Sequence, residues 1–279
     1  MKKRSIWAIS LLFLCALVAG LYLWWLLARA PVAPARPVVQ AQVPPPSAAP
    51  ASSENQGIRF PVDGDTNASA AAGTASATPA AANLAEALVE TLGRKAVLEF
   101  LNVDAFAQRV AATVDNLPRA HAAARLWPVH PAAGRFGTQT LGEQVVITAD
   151  NAKRHAAFVA WIESLDMKSV ARLYRRFYPQ FQRAYEELGY PGRYFNDRVI
   201  DAIDHLLATP ALDGPVAVKL PDIKGPIQPI RPWVMVEFAD PDTEARSAGQ
   251  KLLLRMGSEN TRRLKAKLTE LRAALTQRQ

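Results

Sequence analysis

The residues with the most chemistry in them lie in one run, "RAYEELGYPGRYFNDRVIDAIDHLL", residues 183–207. Glu186 and Glu187 stand side by side, and Asp197, Asp201, Asp204 and His205 follow. Two carboxyl groups about 5 to 9.5 Å apart across a cleft are what glycoside cleavage needs, one as acid and one as nucleophile or base. An aspartate four residues before a histidine, as in Asp201 and His205, could orient an imidazole for base catalysis. Whether either constellation exists depends on the helices that carry these side chains.

At about 100° per residue from Val170, the residues Leu173, Tyr174, Phe177, Phe181, Tyr185 and Leu188 fall in one arc, with Tyr178 at its edge. Glu186 and Glu187 fall on the opposite side with Arg172, Arg176 and Arg183, and Glu187 follows Arg183 at the spacing of a surface ion pair. An open helix face gives a carboxylate no cause for the raised pKa that a general acid needs. In the next helix Val199, Ile200, Ile203, Leu206 and Leu207 share one face, and the three aspartates line the other. Asn196 is expected as its cap, with Asp197 in the first turn and His205 in the last, where each charge suits the helix dipole.

Between the helices, "GYPGRYFN" places Gly189 at a helix end and Pro191-Gly192 at the centre of a type II turn. Pro179 is expected on the solvent side of the first helix, which it should bend. The run therefore reads first as two helices and a turn, and no catalytic residue is assigned. The turn keeps a mixture of aromatics and cations in Tyr190, Arg193, Tyr194, Phe195 and Arg198. Such a mixture suits a binding patch for peptide or glycan if exposed, and a staple pinning the turn to the core if buried.

No other motif competes. His121, His130 and His155 stand at no metal-ligand spacing, and H-E-x-x-H, C-x-x-C, G-x-S-x-G and P-loop patterns are absent from the sequence. No metal and no cofactor are expected. Cys15 is the sole cysteine, so the chain downstream must be held by its core alone.

The elements around this run divide the chain into four parts. Residues 1–5 carry Lys2, Lys3 and Arg4, and residues 6–28 are apolar over about the 20 residues a membrane-crossing helix needs. The positive end is expected in the cytoplasm, with Trp24 and Trp25 at the exit interface. That topology makes 6–28 a single-pass anchor in the inner membrane of a bacterial cell and sends the rest into the periplasm. Residues 29–82, rich in Ala, Pro and Ser, hold few bulky apolar residues and are expected as a disordered linker.

Residues 83–279 are large enough for one domain with its own core. The chain's net charge is +8; six Lys/Arg and three Asp/Glu precede residue 83, which leaves 27 against 22 and a net of +5. So mild an excess is no nucleic-acid signature, and no nucleic-acid partner is expected. Periodicity predicts helices from Asn83 to Gly93, from an Asp104 cap to Pro118, and from an Asp150 cap to about Leu165. Further helices are predicted from an Asp166 cap onward as the longest of the chain, from Asp240 to about Met256, and from a Ser258 cap to the end. "RFGTQT" and "EQVVITA" suggest a hairpin about residues 141–143, and "VAVKL" and "PWVMVEF" two more strands. Ala248 and Gly249 suggest a small-residue packing face. The expected class is mainly α (α+β), a single multi-helix domain with a small antiparallel β element, preceded by a membrane helix and a linker.

Three blocks, "LEFLNVDAFAQRVAATVDNLPR", "LYRRFYPQFQRAYEELGYPGRYFNDRVIDAIDHLLATP" and "FADPDTEARSAGQKLLLRMG", resemble those of a bacterial family catalogued as domain of unknown function 3014. The resemblance spans about residues 84–275. It implies an intact domain behind a membrane helix and spacer, and brings no activity and no catalytic residues. The expected function is a membrane-anchored periplasmic module that binds another envelope protein or peptidoglycan without catalysis. The alternative is a glycan-cleaving cell-wall enzyme using Glu186 or Glu187.

Overall fold

The computed structural model describes residues 57–62, 83–212, 214–221 and 234–277. The expected anchor, residues 6–28, lies outside the described residues, and among these no helix is long and apolar enough to cross a membrane. Ten α-helices and four short strands make the described fold mainly helical with a small antiparallel element, as the periodicity implies.

α1 (Leu84–Leu92) starts where the Asn83 side chain accepts the Ala85 N–H, and it stops at Gly93. α2 (Arg94–Phe100) follows at once. The sequence does not announce it, because its seven residues bury only Val97 and give no periodic window. α3 (Phe106–Asn116) is entered through Ala105 in the left-handed region, φ 50°, so Asp104 is not its cap. β1 (Thr138–Leu141) and β2 (Gln144–Ile147) form the expected hairpin, with Leu141 opposite Gln144. β3 (Val218–Lys219) pairs antiparallel with β4 (Glu237–Phe238), and a single bridge from Val146 to Ala217 joins the two pairs.

α4 (Asp150–Ser164) is capped at Ala149, one residue before the expected Asp150, which takes the first helical position. The helix opening at Asp166 is not one bent rod. Asp166 accepts the Lys168 and Ser169 N–H groups to start α5 (Met167–Arg176), which breaks at Phe177, and α6 (Tyr178–Glu187) begins anew. Pro179 explains the break, since it has no N–H to donate to the preceding turn. The break resets the helical phase, and Tyr178, expected at the edge of the apolar stripe, is buried at 2% exposure. α7 is Phe195–Leu207. The helix expected from Asp240 divides likewise into α8 (Pro241–Glu244) and α9 (Ala248–Arg255), because the Ser247 side chain accepts the Gln250 N–H and starts a second helix.

α10 (Ser258–Thr276), capped at Gly257 and not at Ser258, is the longest described helix, in place of the one predicted at Asp166. It packs on α4, α5, α7 and α9. Its expected leucine stripe serves two clusters: Leu264 and Leu268 lie beside buried Val159, Leu206 and Leu253, while Leu268, Leu271 and Leu275 reach the main core of α3, α6 and α7.

α9 crosses the end of α3 at Gly249, whose N–H donates to the Leu117 carbonyl at 2.9 Å. A Cβ there would lie 2.6 Å from Leu206 Cδ2 and 3.0 Å from the Leu117 oxygen, which is backbone and cannot turn aside. Gly249→Val is therefore expected to destabilise the domain by roughly 1 to 3 kcal/mol. A urea titration should show a lower midpoint, and an unchanged midpoint would contradict this packing.

Candidate functional site

The corner between α6 and α7 carries every residue of the predicted patch. α6 ends at Leu188, Gly189 follows with φ 102°, and Arg193 N–H donates to the Tyr190 carbonyl at 3.2 Å to close a turn with Gly192 at φ 75°. Gln182, which no motif marks, fixes this turn from α6. Its Nε2 donates to the Arg193 carbonyl and to Glu186 Oε1, both at 2.8 Å. Its Oε1 accepts the Phe195 N–H at 2.8 Å and the Tyr178 hydroxyl at 2.9 Å.

The five patch residues have different fates. Phe195 is fully buried, packed against Tyr174, Phe181 and Tyr185, so it belongs to the core and not to a surface. Tyr190 stacks on Tyr185 at 4.8 Å, and the Arg193 guanidinium sits 5.9 Å from the Tyr190 ring. Arg193 is exposed; Tyr190, Tyr194 and Arg198 are half-buried.

Asp115, at the buried end of α3, ties the corner to the rest of the domain. Its carboxylate takes Arg119 Nη2 at 2.7 Å, Arg198 Nη2 at 3.3 Å and the Tyr190 hydroxyl at 3.2 Å. Arg198 also donates to the Asp115 carbonyl at 2.6 Å. Burial and then the Asp115 carboxylate push the Tyr185 hydroxyl above the ordinary phenol range, and burial does the same to Tyr178. Both phenols stay neutral, and that of Tyr178 donates to Gln182 and accepts the Asn196 N–H. A signal for Asp115 was present in the sequence: it continues the Ala107 and Ala111 face of α3, both buried, at intervals of four.

The acidic face of α7 is not open water. Asp197 Oδ1 and Oδ2 accept the N–H groups of Phe60 and Arg59 at 2.8 and 3.1 Å. Asp201 pairs with the Arg59 guanidinium at 2.7 Å. Asn196, expected as a cap, is instead a fully buried residue of the first turn, whose Nδ2 donates to the Phe60 carbonyl at 2.9 Å. The Val62 N–H donates to the Tyr194 hydroxyl at 2.7 Å, and Val62 is itself in the main core. Residues 57–62, inside the expected linker, are thus seated on the α7 face beside the predicted patch, of which they bond only Tyr194.

The catalytic alternatives meet the same geometry. Asp204 binds Arg272 of α10, and His205 Nε2 shares a 2.8 Å hydrogen bond with Ser247 Oγ, so Asp201 and His205 serve different partners. Glu186 and Glu187 are exposed. Glu187 lines an open groove of about 500 Å³ with Asn83, Gln108, Gln180 and Arg183, and it is the groove's one carboxylate among the described residues. Among the described residues no group of three or more His, Cys, Asp or Glu is placed to hold a metal.

The sequence model of the family described as "Protein of unknown function (DUF3014)" matches residues 106–272, more than half of the chain. The chain belongs to this family. The DUF3014 match runs from the first residue of α3 into α10 and holds the whole corner, Asp115 included, whereas α1, α2 and residues 57–62 precede it. It is shorter at its start than the resemblance of residues 84–275 suggested. No curated protein and no solved structure matches the chain.

Asp115→Ala is expected to cost roughly 1 to 3 kcal/mol, because Arg198, mostly buried, loses its carboxylate partner and the Tyr190 hydroxyl its acceptor. Arg119→Ala, whose side chain is half exposed, should cost about 1 kcal/mol or less. Chemical denaturation of both variants checks the ranking. Equal losses would mean that Asp115 does not anchor the corner.

Proposed function

We propose that this DUF3014 protein is a membrane-anchored periplasmic protein whose helical domain is a non-catalytic binding or scaffolding module of the cell envelope. The observation that carries the non-catalytic reading is that the corner's acidic and imidazole groups already have partners. Asp115 is taken by two guanidiniums and a phenol, Asp197 by two peptide N–H groups, Asp201 by Arg59, and His205 by Ser247. A general acid or base must be free to exchange its proton with a substrate. The two glutamates that remain project outward, and a two-carboxyl glycosidase needs a facing partner across a cleft. The anchor rests on the apolar run of residues 6–28 behind Lys2, Lys3 and Arg4, and the periplasmic side on that charge bias.

Protease added to spheroplasts of the bacterial host is expected to remove the domain while a cytoplasmic control survives; protection of the domain would overturn the topology. Residues 56–279, mixed with purified sacculi, are expected to pellet without releasing soluble glycan. Release of fragments that stops with Glu186→Gln and Glu187→Gln would establish the glycan-cleaving alternative. A domain that stays in the supernatant would direct the search to an envelope protein partner.

A further inference from the structure

The way residues 57–62 are held has the form of ligand recognition. From Arg59 to Val62 the segment has three backbone N–H groups, since Pro61 has none, and all three donate to side chains of the domain: two to Asp197 and one to Tyr194. The Phe60 carbonyl accepts from Asn196. Among the described residues, no strand or helix adds the segment to its own ladder. The main chain bends at Arg59 and Phe60 and is read by side chains, so its hydrogen bonds come from the domain without a sheet edge.

The side chains supply selectivity. Arg59 meets Asp201 at 2.7 Å and approaches Asp197 at 4.0 Å, Phe60 packs half-buried at the edge of the core, and Val62 is 6% exposed. Pro61 is exposed, has no N–H to satisfy, and restricts the backbone of the preceding Phe60. Ile58, Phe60 and Val62 place three bulky apolar residues at alternate positions of a stretch that is rich in Ala, Pro and Ser.

We infer that the face of α7 bearing Tyr194, Asn196, Asp197 and Asp201 is a peptide-binding site for a cation-aromatic-proline-aliphatic segment that bends at its first two residues, and that residues 57–62 are its exchangeable ligand in cis. The inference rests on the reading of the domain as a binding module, and not on where the domain sits. Twenty residues, 63–82, separate the segment from Asn83. A linker of that order gives an effective concentration in the millimolar range. A ligand of about 10 μM intrinsic affinity would then be seated about 99% of the time, and a free peptide would compete poorly with it.

The test is a fluorescent peptide spanning residues 56–63, titrated by anisotropy against the detergent-solubilised full chain. An Arg59→Ala/Phe60→Ala chain, whose own segment is weakened, should bind the peptide with micromolar affinity. The unaltered chain should bind it at least tenfold more weakly, and Asp197→Asn added to the double variant should abolish binding. A folded double variant that ignores the peptide, or equal binding by both chains, overturns the proposal. If the double variant fails to fold, hydrogen exchange on the unaltered chain decides. The Arg59, Phe60 and Val62 amides should exchange at least tenfold faster than that of Ile200 if the segment is a ligand, and equally slowly if it is a fixed part of the core. Loss of peptide binding would leave the spheroplast and sacculus results standing, since neither depends on an empty α7 face.

Discussion

Phe195 is the first residue of α7 and is wholly enclosed, in contact with rings from α5 and α6. Residues 83–279 contain no cysteine, so packing of this kind has to do what a cross-link does in many small exported domains. Placing a ring of this size in the core decides where α7 starts, and thereby how the chain must turn after Glu187. Gln182 then satisfies the backbone that the turn exposes, using both of its amide N–H groups and its oxygen. The aromatic cluster and the saturated amide act together: the first fixes the positions of α6 and α7, and the second fixes the loop between them.

From that corner, polar order spreads outward. Asp115 lies below the turn and Asn196 beside it, both buried, and each holds a different element: Asp115 holds the Tyr190 turn to α3, and Asn196 holds residues 57–62 to α7. Burying a carboxylate is unfavourable without partners, and its two guanidiniums and phenol make the site tolerable and directional. Asp197, Asp201, Asp204 and His205, which looked available for chemistry, instead join elements far apart in sequence. The acidic groups of this corner thus position the fold, with their charges already paired.

Much of the fold was legible because local patterns fixed it. The hairpin about Gly142, the turn at Pro191-Gly192 and the close face at Gly249 follow from residue types within a few positions. The long apolar stripe likewise identified the core-facing side of α5 and α6. What was not legible is where a local rule is interrupted. The breaks at Phe177 and before Ser247 depend on a proline and a side-chain cap acting inside otherwise continuous patterns. Of the candidate patch, its location was readable, but the ties to Asp115 were not, because they span about 80 residues, and the burial of Phe195 was not, because it depends on how the turn folds its ring onto α5 and α6. The seat of residues 57–62 was hidden by the composition around it.

One mechanical consequence follows from that seat. While residues 57–62 occupy the α7 face, tension arriving from the N-terminal side enters the domain at Arg59, Phe60 and Val62, and not at Asn83. The load is then borne by α7, at the centre of the aromatic packing, without first passing through α1 or α2. The attachment thus behaves as a mechanical fuse, the first contact of the domain that such a pull would break.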